Sequence, residues 1–543
     1  MKTEKIVQWK AGVRLKIKIF NHEICVRALL ATNSLCAKSS AEMEKNMEHK
    51  NTWETYDAEQ LKEVDVFAKE YMTFLDNGKT ERECIDQIVN TIEKAGYREL
   101  ETLIASDTKL KAGDKVYSVW MNKSVVMFQI GKEKMAKGIN ILGAHIDSPR
   151  LDIKQNPLYE DGGFAYLDTH YYGGVKKYQW VTLPLAIHGV VVKKDGTTVE
   201  INVGENEDDP VFFISDLLIH LAQEQLEKKA NKVIEGEALD IIIGNKPLVI
   251  DRSRQENDED GQSTEGQDKN GEKQDVMNGD GKGEKTSEKE AVKKGILEIL
   301  KQAYDIEEED FISAELEVVP AGKAREAGFD RSMILAYGQD DRVCAFSSLK
   351  AMLEIGQTDR TACCILVDKE EVGSVGATGM QSRFFENAVA EVMNLTGEYS
   401  ELNVRRCLAR SCMLSSDVSS AFDPAYAASF DKKNVAYLGG GMVFNKFTGA
   451  RGKSGSNDAN AEYLGHIRAI FEKEKVNFQT AELGKVDLGG GGTIAYILAL
   501  YGMNVIDSGV AVLNMHAPWE ATSKADVYET KRGYVAFLNH AEL

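Results

Sequence analysis

The chain has 543 residues, 43% of them apolar, which is enough to fill more than one domain core. Its 86 acidic and 66 basic residues leave a formal charge of −20, which argues against a nucleic-acid or anionic-membrane partner, since both need a basic face. No run of about 18 apolar residues is present, and the eight cysteines form no Cys-x-x-Cys pair, so a cytoplasmic, reducing setting is expected rather than a membrane span or a disulfide framework.

Residues 1–55 read as an N-terminal extension without a fold of its own. They are Lys-rich and patchily apolar, but lack the continuous apolar stretch and cleavage site of a signal peptide. Ala58 to Phe74 and Arg82 to Ala95 then carry Leu, Val, Phe and Ile at helical spacing, joined by Asp76-Asn77-Gly78.

Five apolar runs follow, each ending on a metal-ligating residue type. They are Ile139 to His145, Met333 to Asp340, Cys363 to Glu371, Cys412 to Asp417 and Val510 to His516. Runs of this length predict buried strands of a mixed, largely parallel sheet flanked by helices, an α/β fold. Ligands of such sheets bind beyond the carboxyl ends of the strands, so the five ends are expected to converge on one crevice. Cys363 and Cys364 lie inside one run and read as core thiols.

Between the first and second runs the texture changes to short strand-like pieces: Trp180 to Pro184, Ile187 to Lys193, Thr198 to Val203 and Leu239 to Ile243. Residues 151–327 therefore read as an inserted β-rich domain. It interrupts a domain built from residues 56–150 and 328–543. Ile214 to Glu227 is expected to be helical. Residues 252–290 are almost devoid of apolar side chains and read as a mobile acidic loop that has nothing to bury.

The run ends carry the chemistry. His145 is a metal-ligand type, and Asp147, two residues on in an extended chain, points the same way and can fix the imidazole tautomer. Asp340-Asp341 opens a helix, Val343 to Leu353; Asp340 is placed to bridge two ions and Asp341 to cap the helix. Glu370 and Glu371 would repel if both were close and unpaired, a penalty that a dication removes. One can ligate while the other takes a proton from water. With Asp417 and His516 the set becomes two His, two Asp and one Glu, with Glu370 left as base. A thiolate-free set of this kind suits zinc, manganese or cobalt in a hydrolytic site. Gly489 to Gly492, before an apolar helix Ile494 to Leu500, lacks the Lys-Ser/Thr of a phosphate loop and reads as a close backbone approach.

Together the motifs GAHIDSPRLD, YYGGV…LPLAIHGVVV, QDDRVCAFSSL, VDKEEVGSVGATG, SSDVSSAFDP, LGGGGTIA and VLNMHAPWE, in this order, resemble the aspartyl aminopeptidase/aminopeptidase I family of metallopeptidases. The resemblance implies a zinc exopeptidase-like catalytic domain interrupted by a dimerisation domain, with dimers assembled into a tetrahedral homododecamer. It implies two zinc ions held by His145, Asp340, Glu371, Asp417 and His516, with Asp340 bridging and Glu370 as general base. The substrate is then a peptide with a free N-terminus, and Glu520 is a candidate partner for its α-amine. Where the family's eukaryotic branch has a pocket His, this chain has Asp216, whose charge would disfavour acidic N-terminal residues. Two rivals remain: a co-catalytic zinc carboxypeptidase or deacylase, separable by N-blocked against free-amine peptides, and a non-enzymatic scaffold, which has no use for Glu370.

Overall fold

Helix starts near the N-terminus follow from local chemistry. Asp57 accepts hydrogen bonds from the N–H groups of Glu59 and Gln60, and Gln60 Oε1 accepts one from the Asp57 N–H, opening helix Ala58–Asn77. Thr80 and Glu83 form the same reciprocal cap for helix Glu81–Lys94. Asp57→Ala is expected to cost about 1 kcal/mol of stability, read by chemical denaturation.

A computed structural model describes residues 51–248, 290–450 and 452–542. The expectations for residues 1–50 and for the loop 252–289 lie outside the described residues. The boundary at residue 55 moves: Thr52–Thr55 forms a 3-10 turn whose Thr52 is buried, with its N–H bonded to the Gly439 carbonyl at 2.7 Å.

The central sheet has nine strands. Its middle is parallel: Ala362–Val367, Asn140–His145, Cys412–Ser416 and Asn504–Gly509 lie side by side in that order. Antiparallel pairings flank this middle on both sides. The apolar runs read continuously because successive side chains feed two cores. Leu142, Cys364 and Leu366 join the core under helices Ala58–Asn77 and Lys524–His540, whereas Ile141, Cys363 and Ile365 join the core under Phe384–Leu395. All six described cysteines are free and buried.

Two of the five runs belong elsewhere. Met333–Ala336 and Ala511–Leu513 lie in a separate five-stranded sheet, each paired antiparallel with Glu520–Ser523. Their apolar pattern is that of any strand covered on both faces, so it does not reveal which sheet receives them.

A third sheet of six strands, all antiparallel, runs from Arg150 to Pro320 with Ile241–Gly244 at one edge. It carries its own apolar core, including Leu151, Trp180 and Val318. Three expectations here change. Trp180 to Pro184 is turn rather than strand. The stretch expected as one helix from Ile214 to Glu227 has no helix as far as Leu218, then makes only the short turns Ile219–Leu221 and Gln223–Leu226. Helix Ala291–Tyr304, unanticipated, packs against this sheet. Among the described residues no helix is long and apolar enough to cross a membrane.

Candidate active site

The carboxyl ends of the parallel strands open onto a cavity of about 470 Å³. Asp340, Glu370, Glu371, Asp417 and His516 line it, and the buried His145 stands beside Asp340. His145 ends strand Asn140–His145, and Asp417 follows strand Cys412–Ser416 with its N–H bonded to the Ser508 carbonyl. Glu370 and Glu371 sit on a single 3-10 turn after strand Ala362–Val367. His516 follows the five-stranded sheet in a left-handed backbone conformation, φ +64°, a strained setting of the kind kept at functional sites.

Asp340 is the centre of this geometry. Its Oδ1 lies 3.4 Å from His145 Nε2 and its Oδ2 lies 3.3 Å from His516 Nε2. Two groups of ligand-type atoms share it: His145, Asp340 and Asp417 on one side, and Asp340, Glu371 and His516 on the other. Within each group the atoms lie no more than 4.8 Å apart. Asp147 stands behind, fully buried. Its main-chain carbonyl is the hydrogen-bond partner of His145 Nδ1 (3.0 Å), its Oδ1 lies 3.3 Å from the same nitrogen, and its two carboxylate oxygens accept the N–H groups of Glu370 (3.2 Å) and Glu371 (3.1 Å). Asp147 thus orders both the imidazole and the Glu-Glu turn.

The cluster carries more negative charge than a buried site tolerates by itself. Burial pushes the Glu370 carboxyl up to about 7 and those of Glu371 and Asp417 well above the usual range, with neighbouring carboxylates adding to the shift. Burial acts the same way on Asp340, but the imidazoles of His145 and His516 outweigh it and hold that carboxyl low. Burial works against both histidines, yet Asp147 and Asp340 raise His145 well above its ordinary value, and Asp340 and Glu371 help raise His516 to about 10. Asp340 Oδ1 and Glu371 Oε1 are buried and accept no hydrogen bond. Imidazoles, carboxylates and orphaned oxygens turned on one another fit a divalent cation, with no thiolate in the set.

Three residues assigned from the sequence sit differently. Asp341 stands at the start of the regular helix, since its backbone and that of Asp340 are non-helical within Gln339–Glu354, but it is buried with neither oxygen accepting a hydrogen bond, so its side chain makes no cap. Glu520 does not line the cavity. Its Oε2 accepts the Asp340 N–H (3.0 Å) and its Oε1 the His516 N–H (2.8 Å), so it holds the backbones of two cluster residues. Asp216 is exposed and outside this cavity. It accepts from the Leu217 N–H and from Gln225 Nε2, both at 2.8 Å. Sequence reasoning missed Asp507, whose Oδ1 accepts from the Thr493 hydroxyl at 2.6 Å beside the glycine segment. A larger cleft of about 620 Å³, between helix Ala291–Tyr304 and the six-stranded sheet, is apolar and contains none of the cluster.

A mixed α/β fold with a buried His–carboxylate cluster at the ends of its parallel strands defines a protein of the metal-dependent hydrolase class. Comparison with known proteins narrows it. The family model described as "Aminopeptidase I zinc metalloprotease (M18)" matches residues 74–538. A curated relative from Clostridium acetobutylicum, "Probable M18 family aminopeptidase 1", is 60% identical over 493 residues, which are 91% of this chain and 98% of that one. The crystal structure of aminopeptidase I from Clostridium acetobutylicum aligns with a TM-score of 0.79 at 59% identity, covering 91% of this chain and 99% of that one. That of an M18-family aminopeptidase from Thermotoga maritima aligns with a TM-score of 0.80 at 40% identity, covering 91% and 100%. The chain belongs to the aminopeptidase I zinc metalloprotease (M18) family, whose members are hydrolases of peptide bonds.

Proposed function

We propose that the chain removes N-terminal residues from peptides at a centre of two divalent metal ions, zinc in the first instance, with manganese and cobalt as alternatives. The observation that carries this reading is Asp340, whose two oxygens each face the Nε2 of a different histidine. One ion would be held by His145, Asp340 and Asp417, the other by Asp340, Glu371 and His516. When bound, the ions supply Lewis-acid polarisation of the scissile carbonyl and a lowered pKa for water. Glu370, in the cavity wall but in neither triad, takes the proton from the attacking water and passes it to the leaving amine. Asp147 keeps His145 in its ligating orientation. Glu520 acts through the backbones of Asp340 and His516 rather than on the substrate's α-amine.

The test is hydrolysis of free-amine against N-blocked peptides by the purified chain, before and after exhaustive chelation. Activity on the free-amine peptide alone, lost with the metal and restored by zinc, is the expected result. Cleavage of the N-blocked peptide would point to a carboxypeptidase or deacylase, and no metal-dependent cleavage of either would leave a scaffold.

The six-stranded sheet is read as a dimerisation domain spanning residues 151–327, within a homo-oligomer in the tetrahedral dodecameric manner that the family resemblance implies. Leu217, Leu218, Ile219, Leu221 and Leu226 are exposed apolar side chains on this part of the chain, and an interface would cover them. In such an assembly Asp216, beside this patch, would reach a neighbouring subunit's cavity. Substrates with neutral or basic N-terminal residues should then be preferred over Asp- or Glu-terminated ones, and Asp216→His should shift the ranking toward acidic substrates. Comparing kcat/KM for Asp-, Leu- and Lys-terminated peptides checks this, and an unchanged ranking in the variant removes Asp216 from the pocket.

A further inference from the structure

The six-stranded sheet reaches into the metal cluster at one place. Strand Phe164–Tyr172 ends there, and the Tyr172 hydroxyl donates to Asp147 Oδ2 at 2.8 Å. Two residues on, the Gly174 carbonyl lies 3.1 Å from His516 Nδ1. Each contact therefore acts on the Nδ1 side of one of the two cluster histidines: Gly174 directly, and Tyr172 by holding Asp147, whose main-chain carbonyl is the hydrogen-bond partner of His145 Nδ1 (3.0 Å), with its Oδ1 alongside at 3.3 Å. Both Nε2 atoms face Asp340. An imidazole that gives its Nδ1 proton to a fixed acceptor is left with its Nε2 lone pair free to ligate.

We infer that Tyr172-Gly173-Gly174, a segment of the inserted sheet, is a positioning element for the metal centre that sets the orientation of both ligand histidines and the tautomer of His516. This rests on the two-ion reading above and extends it to residues from another sheet. The Tyr172 ring is itself held: the Arg150 guanidinium lies 3.9 Å from its centroid, and buried Arg150 is fixed by Glu81 (3.1 Å), Glu317 (3.1 Å) and Asp152 (2.8 Å). The glycines allow the close approach. A Cβ on Gly174 would lie 3.1 Å from His516 Nδ1, and one on Gly173, φ +75°, would lie 3.3 Å from Glu371 Oε2. The competing role for Tyr172 is packing between two sheets, which would affect stability and leave metal affinity alone.

Zinc affinity measured by chelator competition separates these roles, alongside thermal unfolding of the metal-free proteins. Tyr172→Phe is expected to weaken one zinc by about 10–100-fold, with metal-free unfolding as in wild type. Gly174→Ala is expected to weaken the other, while Tyr171→Phe, on the exposed neighbour, binds both as wild type does. Wild-type affinity for both ions in Tyr172→Phe and Gly174→Ala overturns the inference, as does a loss of metal-free stability with unchanged affinity. His145→Ala tells which reading has failed. If it too keeps both ions at wild-type affinity, the two-ion centre is wrong. If it loses an ion while Tyr172→Phe does not, only the positioning role falls.

Discussion

Glu370→Gln is expected to lower kcat by about 10²–10⁴ while the protein keeps both metal ions. The amide has nearly the shape of the carboxylate but cannot accept a proton from water. The backbone N–H of Glu370 still reaches Asp147, so the turn that carries Glu371 is undisturbed. Glu371 is a poor substitute as base because its Oε2 is turned toward His516, 3.6 Å away, inside one of the two triads. Turnover on a free-amine peptide, paired with elemental analysis of the same preparation, reads both halves of the expectation. Near-normal hydrolysis would reassign the base, and loss of an ion would make Glu370 a ligand.

How far the site could be read from the sequence depended on whether a signal was local. His145, Glu370, Glu371 and Asp417 each follow an apolar run that forms a strand of the parallel middle, and burial on both faces makes such a run continuous. The same rule brought Asp340 and His516 to the site while placing their strands in the wrong sheet, because periodicity carries no information about the pairing partner. The helix expected after Ile214 failed for a related reason. Its apolar residues have helical spacing, yet Leu217, Ile219 and Leu221 are exposed, so no core face exists to hold a helix of that length. Tyr172 and Gly174 were legible only as part of the motif YYGGV, with no role attached. Their contacts are with Asp147 and with His516, 342 residues further on, and a Tyr-Gly-Gly stretch on its own signals only a strand end and a turn. The same limit explains Glu520, whose acidic side chain invited a role in substrate binding. Only the fold shows that its two oxygens face backbone N–H groups instead.

Asp340→Ala is expected to have the largest effect: loss of both ions, with turnover reduced at least as far as in Glu370→Gln. A carboxylate that belongs to both triads cannot be removed from one alone, and without it the Nε2 atoms of His145 and His516 lose the residue that both of them face. Zinc added back in excess should restore little, since each site would be left with two of its three ligand-type residues. Asp341→Asn provides the contrast. Asp341 belongs to neither triad and its side chain makes no cap, and Asn preserves its buried volume, so this variant should retain both ions. Asp341 is nevertheless close enough for its charge to act on His145 and Asp340, so a modest change in affinity at the His145 side is compatible with its place. Metal content and chelator-competition affinity for the two variants, measured together, decide the matter. If Asp341→Asn loses both ions while Asp340→Ala keeps one, the bridge belongs to Asp341. If Asp340→Ala loses only the ion beside His516, the two triads do not share a carboxylate, and the centre is two independent sites.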